Sequence, residues 1–168
     1  MAGEQANYDV AFNLLKEGRY PQAADAFNRF LQQYPSSRLA PNAQYWLAES
    51  QYVARNYDVS LAEFRKVVGQ YPGNPKVPDA LLKIGYIHSE KQQWTEAKAA
   101  LERVIQEYPG SGSADLARQR LNRLQNTNQV MLGDARTGKV RTVLTERDST
   151  WVDVVDEVTW LDGGKSFT

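Results

Sequence analysis

Residues 20–35, YPQAADAFNRFLQQYP, recur twice along the chain, as YDVSLAEFRKVVGQYP at 57–72 and WTEAKAALERVIQEYP at 94–109. The copies begin 37 residues apart, and each one ends in a Tyr-Pro pair. A period of this length is typical of a stacked array whose units cannot each bury an apolar face alone. The spacing therefore predicts a solenoid, and solenoids usually serve binding.

Each repeat is predicted to be two short helices joined by a tight turn. In the first repeat, apolar residues recur at helical spacing before Gly18 and again after Pro21. Glycine suits the left-handed residue that ends a helix, and proline suits the first turn of the next helix. We predict a mainly α domain over 1–126, with repeats at about 6–35, 41–72 and 78–109 and a capping helix at about 113–125.

The composition argues against several classes of function. The 20 basic and 20 acidic residues cancel, so there is no bulk basic field to attract nucleic acid. The chain has no cysteine, and its single histidine, His88, has no second histidine to complete a zinc site and no partners for a catalytic triad. We therefore expect no enzyme activity, no metal and no cofactor, and we interpret His88 as a structural residue.

Hydropathy and the start of the chain bear on localisation. No apolar stretch of about 18 residues occurs, so we expect no membrane insertion. The first residues, MAGEQ, lack the basic and apolar segments of a signal peptide, so we expect no export signal in the sequence as written.

The repeats resemble the tetratricopeptide pattern, a helix-turn-helix solenoid. Small residues stand at 23, 60 and 97, large apolar residues at 27, 64 and 101, and proline at 35, 72 and 109. Three phrases narrow the resemblance: LKEGRY at 15–20, QYPSS at 33–37 and APNAQYWL at 40–47. Over about residues 6–125, the chain closely resembles the C-terminal domain of the Tol-Pal-associated cell division coordinator family, known as CpoB or YbgF.

This resemblance implies a protein-binding domain in the Gram-negative periplasm. It implies a role in linking constriction of the outer membrane by the Tol-Pal system to peptidoglycan synthesis. The implied partners are a TolA-like envelope protein and a bifunctional peptidoglycan synthase of the penicillin-binding class. Full-length family members also carry a signal peptide and a trimerising coiled coil, so we expect this chain to be an excised domain.

From Thr127 onward the apolar pattern becomes strand-like. We predict strands at about 130–134, 139–145, 152–160 and 165–168, with hairpin turns at 134–139 and 162–165. This β-rich tail, 127–168, resembles over about 128–168 a fragment of the β-propeller of bacterial dipeptidyl peptidase IV. The hydrolase domain of that family and its G-x-S-x-G motif are absent, so no peptidase activity is implied.

The role of the tail leaves two functions open. Two hairpins alone are marginal in water, so the tail is expected to borrow a surface from the terminal helix, the groove or a second copy of the chain. Alternatively, it is a disordered remnant. The chain is therefore either an interaction module or an engineered or accidental fusion scaffold, whose tail mediates self-association or fills the groove.

The first helix of each repeat is predicted to line the concave side of the solenoid. Trp46 is the aromatic residue that we most expect in the core, and several other aromatics could also pack between repeats. Aromatic anchors with a polar rim suit a peptide or a partner helix. The predicted partner-binding residues are Tyr8, Phe12, Asn42, Tyr45, Glu49, Tyr52, Lys83, Tyr86 and Glu90.

Some tetratricopeptide domains hold a terminal carboxylate of a peptide with lysine and asparagine on successive first helices. Here the corresponding positions carry Tyr8, Asp9, Phe12 and Trp46. We therefore predict that the groove takes an extended or helical internal segment rather than a chain terminus.

Overall fold

The computed structural model describes residues 2–125, 127–133, 140–147, 160–161 and 166–167, with side chains for 3–124. The chain divides into two compact units, Met1–Arg118 and Gln119–Thr168. This division falls inside the seventh helix, whereas the predicted domain boundary at 126/127 follows that helix. The predicted boundary stays a prediction.

The described residues contain seven α-helices, and consecutive helices pack against each other from the first to the sixth. Together they form a solenoid of helix-turn-helix repeats, which confirms the predicted mainly α class. The last helix matches the position predicted for a cap, and its capping role stays a prediction. The helices are α1 (Ala2–Lys16), α2 (Tyr20–Gln33), α3 (Ala40–Val53), α4 (Tyr57–Gln70), α5 (Val77–Glu90), α6 (Trp94–Glu107) and α7 (Gly112–Gln125).

One backbone turn joins the two helices of every repeat. The Gly18 N–H donates to the Leu15 carbonyl and the Arg19 N–H to the Leu14 carbonyl, each at 3.0 Å. This pair of bonds is the Schellman motif, which ends a helix with one residue in the left-handed region. Gly18 has φ 73°, and the corresponding residues Arg55 and Gln92 have φ 61° and 58° although neither is a glycine.

The Tyr-Pro pairs end the second helix of each repeat. The Tyr34 N–H still donates to the Phe30 carbonyl at 2.8 Å, but φ of −132° already places Tyr34 outside the helical region. Proline at the next position disfavours a helical conformation for the tyrosine and supplies no N–H. The same arrangement recurs at Tyr71 and Tyr108, so the sequence pattern sets the repeat boundary locally.

The core lies between the helices of each repeat and its neighbour. In the first repeat, the buried side chains of α1 and α2 include Ala11, Phe27 and Phe30. In the third repeat, the corresponding core on α6 is aliphatic, with Leu101 and Val104 fully buried. The solenoid thus keeps one backbone plan while the volume and shape of its core residues change along it.

The described residues after α7 include four strands. Strands β1 (Thr127–Gly133) and β2 (Val140–Arg147) pair antiparallel, with a register shift between Val130 and Met131. Strands β3 (Trp160–Leu161) and β4 (Ser166–Phe167) also pair antiparallel. The predicted turns at 134–139 and 162–165, and nearly all of the predicted strand 152–160, lie outside the described residues. The fold of the tail therefore stays a prediction.

Candidate functional site

A row of aromatic side chains crosses from α1 to α3. Tyr8 and Phe12 are four residues apart on α1, so they lie on one face of the helix, with ring centroids 6.2 Å apart. Phe12 meets Trp46 of α3 edge to face at 5.4 Å, and Trp46 meets Tyr45 at 5.2 Å. Tyr8, Phe12, Trp46 and Tyr45 together form the aromatic row. Edge-to-face pairs of this kind are favourable arrangements of aromatic rings.

Within the row, Tyr45 lies in the core, whereas Trp46 lies nearer the surface. Tyr45 is only 6% exposed, because its ring packs against Phe64 of α4 at 5.4 Å. Trp46 is half-buried and faces Phe12. The expectation that Trp46 is the most core-like aromatic was therefore wrong. Neighbouring positions on a helix point about 100° apart, and here the core side belongs to Tyr45.

Three lysine ammonium groups lie over rings of the first helices. Lys76, just before α5, places its Nζ 4.8 Å from the Tyr45 centroid and 5.2 Å from that of Trp46. Lys16, the last residue of α1, lies 5.5 Å from the Phe12 ring. Lys83 of α5 lies 4.8 Å from the ring of Tyr52. Cation–π contacts at exposed sites stabilise by roughly 0.5–1 kcal/mol each.

The sequence prediction missed Lys16 and Lys76. Lys16 follows Phe12 by four residues, which is helical contact spacing, so this signal was present in the sequence. Lys76 belongs to the next repeat and reaches back to α3, and no local spacing reveals that contact.

A partly buried ion pair joins α3 to α5. Lys83 Nζ lies 2.7 Å from Glu49 Oε1, and the two side chains are only 22% and 17% exposed. The other oxygen, Glu49 Oε2, is buried and accepts no hydrogen bond from the described residues. The structure thus brings together three predicted residues, Glu49, Tyr52 and Lys83, in a second cluster beside the aromatic row.

The pKa values of the two tyrosines of the row are raised, chiefly by burial. Burial raises the pKa of Tyr45 well above its usual range, and the negative charges of Glu49 and Asp79 raise it further. Burial also raises the pKa of Tyr8, whereas a hydrogen bond with the Trp46 side chain opposes this shift. Both phenols are therefore neutral at physiological pH and act as amphipathic packing groups.

The remaining predicted residues lie on the same helices. Asn42 is half-buried at the start of α3, and Tyr86 is half-buried on α5. Glu90 is exposed at the end of α5. Partner binding by any of the nine predicted residues stays a prediction.

His88 lies at the end of α5, where it is 6% exposed. Its Nδ1 is 2.7 Å from Gln93 Oε1, and the corresponding residues of the second repeat, Gln51 and Asn56, make a similar bond of 2.8 Å. This contact links α3 and α5 to the turns that follow them, so a structural role explains His88. Within the part of the chain that the structure describes, no three metal-ligating side chains cluster. None of the described helices is long and apolar enough to cross a membrane.

Comparison with protein families identifies the solenoid. Residues 11–75 and residues 79–111 match two family models, both described as the tetratricopeptide repeat. These residues are tetratricopeptide repeats. The fold is typical of non-enzymatic modules that bind peptides and proteins.

One curated relative and two solved structures are similar to parts of this chain. Cell division coordinator CpoB from Pseudomonas putida is 52% identical over 48 residues, which is 29% of this chain and only 18% of the relative's length. The Yersinia enterocolitica type III secretion chaperone SycD, solved with a peptide of the translocator YopD, has a TM-score of 0.61 and 14% identity, covering 72% of this chain and 88% of SycD.

The first tetratricopeptide domain of Spaghetti (RPAP3), solved with an HSP90 peptide, has a TM-score of 0.56 and 20% identity, covering 70% of this chain and 92% of that domain. At these identities, the two structural similarities show the fold alone. The propeller resemblance of residues 128–168 gains no support from the relatives and stays a prediction.

Proposed function

We propose that this chain is a protein-interaction module that binds a partner segment on the surface of its first helices. The observation that carries the proposal is the aromatic row, in which half-buried Phe12 and Trp46 from different helices meet at 5.4 Å. Rigid aromatic side chains supply large contact area at a low cost in conformational entropy, and they often dominate binding energy.

The partner is an internal protein segment, either extended or helical. Charged groups lie beside the rings of the row, with Lys16 over Phe12 and Lys76 over Trp46, and a polar rim around an apolar centre suits such a partner. The peptide complexes of SycD and of the Spaghetti domain support a peptide as the class of ligand. The terminal-carboxylate mode stays disfavoured, because Asp9 and aromatic residues occupy the positions where it needs lysine and asparagine.

The biological role that we propose is that of a cell division coordinator in the periplasm. The 52% identity to CpoB over 48 residues supports it, although that stretch is a small part of the relative. In this role, the module binds a TolA-like envelope protein and a peptidoglycan synthase, and it links envelope constriction to peptidoglycan synthesis.

Substitution of the two half-buried aromatic residues, Phe12 and Trp46, tests this proposal. Phe12→Ala combined with Trp46→Ala is expected to weaken binding to a TolA periplasmic fragment at least tenfold, measured by calorimetry with the full chain. Trp94→Ala is the matched control, since Trp94 is 53% exposed and begins a second helix. It should bind like the wild type, and circular dichroism should show all variants folded.

Two results would count against parts of the proposal. Equal affinity of the double variant and the wild type would place binding on another surface. Absence of binding to both the TolA fragment and a bifunctional peptidoglycan synthase would remove the proposed division role.

Self-association through the β-rich tail, the alternative function, is a separate prediction. Light scattering of the full chain across a hundredfold range of concentration tests it. A mass that rises with concentration is expected if the tail joins copies, and a constant monomer mass would exclude this function.

A further inference from the structure

We propose that the first-helix surface selects segments in which an apolar anchor residue stands between acidic residues, and that Lys16 and Lys76 contact the carboxylates. This inference rests on the proposed function and adds the chemistry of the partner. It starts from the placement of one lysine beside each ring of the Phe12–Trp46 pair.

The two lysines reach the ring pair from different elements of the chain. Lys16 comes from the end of α1 and lies beside Phe12, whereas Lys76 precedes α5 and lies beside Trp46. A side chain that packs on both rings would therefore be close to both ammonium groups. A segment that carries a large apolar residue with a carboxylate on each flank matches this order of groups.

The charges that are already paired decide which lysines can take a partner carboxylate. Lys83 is held by Glu49 at 2.7 Å, so its charge is largely compensated within the chain. Lys76 Nζ lies 3.7 Å from Asp79 Oδ2, which is a looser pair than that of Lys83 and Glu49. The Asp79 carboxylate also accepts a hydrogen bond from the Ser113 hydroxyl. Lys76 therefore keeps capacity for a second carboxylate.

Lys16 is exposed and has no carboxylate within 4.0 Å among the side chains that the structure describes, and its ammonium group lies over the Phe12 ring. A partner carboxylate would add a charge-assisted hydrogen bond to this cation, which is stronger than a contact between neutral groups. The lysine would also uncover part of the Phe12 ring as it turns toward the carboxylate.

The acidic residue Asp9 limits where the partner's carboxylates can lie. Asp9 is exposed on α1, three residues before Phe12, and it accepts a hydrogen bond from Gln5 at 2.9 Å. A carboxylate would be repelled at that end of α1 and attracted at the Lys16 end. The surface is thus selective in charge along α1, which favours a partner carboxylate near Lys16 over one near Asp9.

A selection experiment tests the inference with the full chain as the target. A library of random dodecapeptides displayed on phage is selected against the immobilised chain, and the affinities of recovered peptides are measured by calorimetry. Peptides with an aromatic or large aliphatic residue between aspartate or glutamate residues are expected to be enriched.

Charge-removing variants then locate the contact. Lys16→Gln with Lys76→Gln should weaken binding of such a peptide by about tenfold, because two exposed charge pairs contribute up to roughly 1 kcal/mol each. Lys98→Gln with Arg103→Gln removes the same charge from α6, a second helix, and should leave the affinity unchanged. Reversal of the peptide's acidic residues to lysine should abolish binding.

The outcomes separate this inference from the function on which it rests. One outcome would overturn the charge rule and leave the interaction surface intact. In it, the recovered peptides lose affinity for the Phe12→Ala, Trp46→Ala variant, but they show no acidic enrichment or bind the double lysine variant as tightly as the wild type. Peptides that are insensitive to the aromatic variant, or a selection that returns no binder, would overturn both.

Discussion

The first and third repeats share one backbone plan but fill it with different side chains. Where the first repeat places Ala11 opposite Phe27, the third places Gly85 opposite Leu101, and both large residues are fully buried. The second repeat, with Ala48 and a phenylalanine, follows the first. Across the array, a phenylalanine accompanies alanine and the leucine accompanies glycine, so the two positions behave as a pair.

The contact at Gly85 explains this pairing. A methyl group added at Gly85 would lie 2.7 Å from both Cγ and Cδ2 of Leu101, well inside van der Waals contact. The γ-carbon and one δ-methyl group of Leu101 thus occupy the space that a side chain at position 85 would need. The two positions therefore fit each other by shape, and their total volume is smaller in the third repeat, where leucine meets glycine.

The largest expected effects come from substitutions that leave cavities in the cores of the first and third repeats. Phe27→Ala should cost about 4 kcal/mol and Leu101→Ala about 3 kcal/mol of unfolding free energy, because both leave a cavity among buried neighbours. Urea denaturation followed by circular dichroism measures both losses. Trp94→Ala is the control, since its exposed ring should contribute less than about 0.5 kcal/mol. Similar losses in all three variants would show that the cores do not carry the stability of the array.

Exchange of the paired residues is the sharper test of the comparison. Gly85→Ala alone should destabilise by about 1 kcal/mol, because crowding against Leu101 exceeds the gain in helix propensity. Adding Leu101→Phe recreates the pair of the first two repeats and should recover most of that loss. A double-mutant cycle measures the coupling between positions 85 and 101, and additive effects of the two changes would refute the idea that the two residues fit each other as a pair.

Gly69→Ala is the matched control for the Gly85 change. Gly69 lies in α4, and a methyl group there would meet nothing within 4 Å. The same substitution should therefore stabilise by up to about 1 kcal/mol through helix propensity alone. The opposite signs at Gly69 and Gly85 would separate crowding from propensity.

The sequence predicts those parts of the fold that depend on local signals. Tyr34-Pro35 and its copies end helices wherever they occur, and the 37-residue period carries that information through the array. The orientation of Tyr45 and the reach of Lys76 could not be predicted. Tyr45 turns inward because Phe64 of the next helix meets it, and Lys76 contacts a helix that belongs to the preceding repeat. Both depend on packing between elements.

Alkaline pH should distinguish the aromatic repeats from the aliphatic one. Position 45 and its equivalent in the first repeat are tyrosines, whereas the third repeat has the buried Leu82. The pKa of Tyr45 is raised in the folded chain above its unfolded value near 10, chiefly by burial. The neutral phenol therefore stabilises the fold fully below about pH 10, and this contribution is lost as the pH rises further.

Comparison of the wild type with Tyr45→Phe measures that loss. Between pH 9 and pH 11 the wild type should lose about 1 kcal/mol more unfolding free energy than the variant, since one ionising group contributes about 1.4 kcal/mol per pH unit. Tyr8 stays in both proteins, so its own raised pKa cancels. If the two proteins lost the same unfolding free energy between pH 9 and pH 11, ionisation of Tyr45 would not destabilise the folded chain.

The smallest expected effects concern the turn that all three repeats share. Arg55 and Gln92 adopt φ near 60° at the position that Gly18 occupies in the first repeat. A side chain in the left-handed region is strained, whereas glycine is not, although glycine also gains freedom in the unfolded chain. Arg55→Gly and Gln92→Gly should each stabilise by about 0.5 kcal/mol, and Gly18→Ala should destabilise by about 1 kcal/mol. If thermal melts showed the two glycine variants to be less stable, side-chain contacts of Arg55 and Gln92 would outweigh backbone strain, and the three turns would differ in energy despite their common geometry.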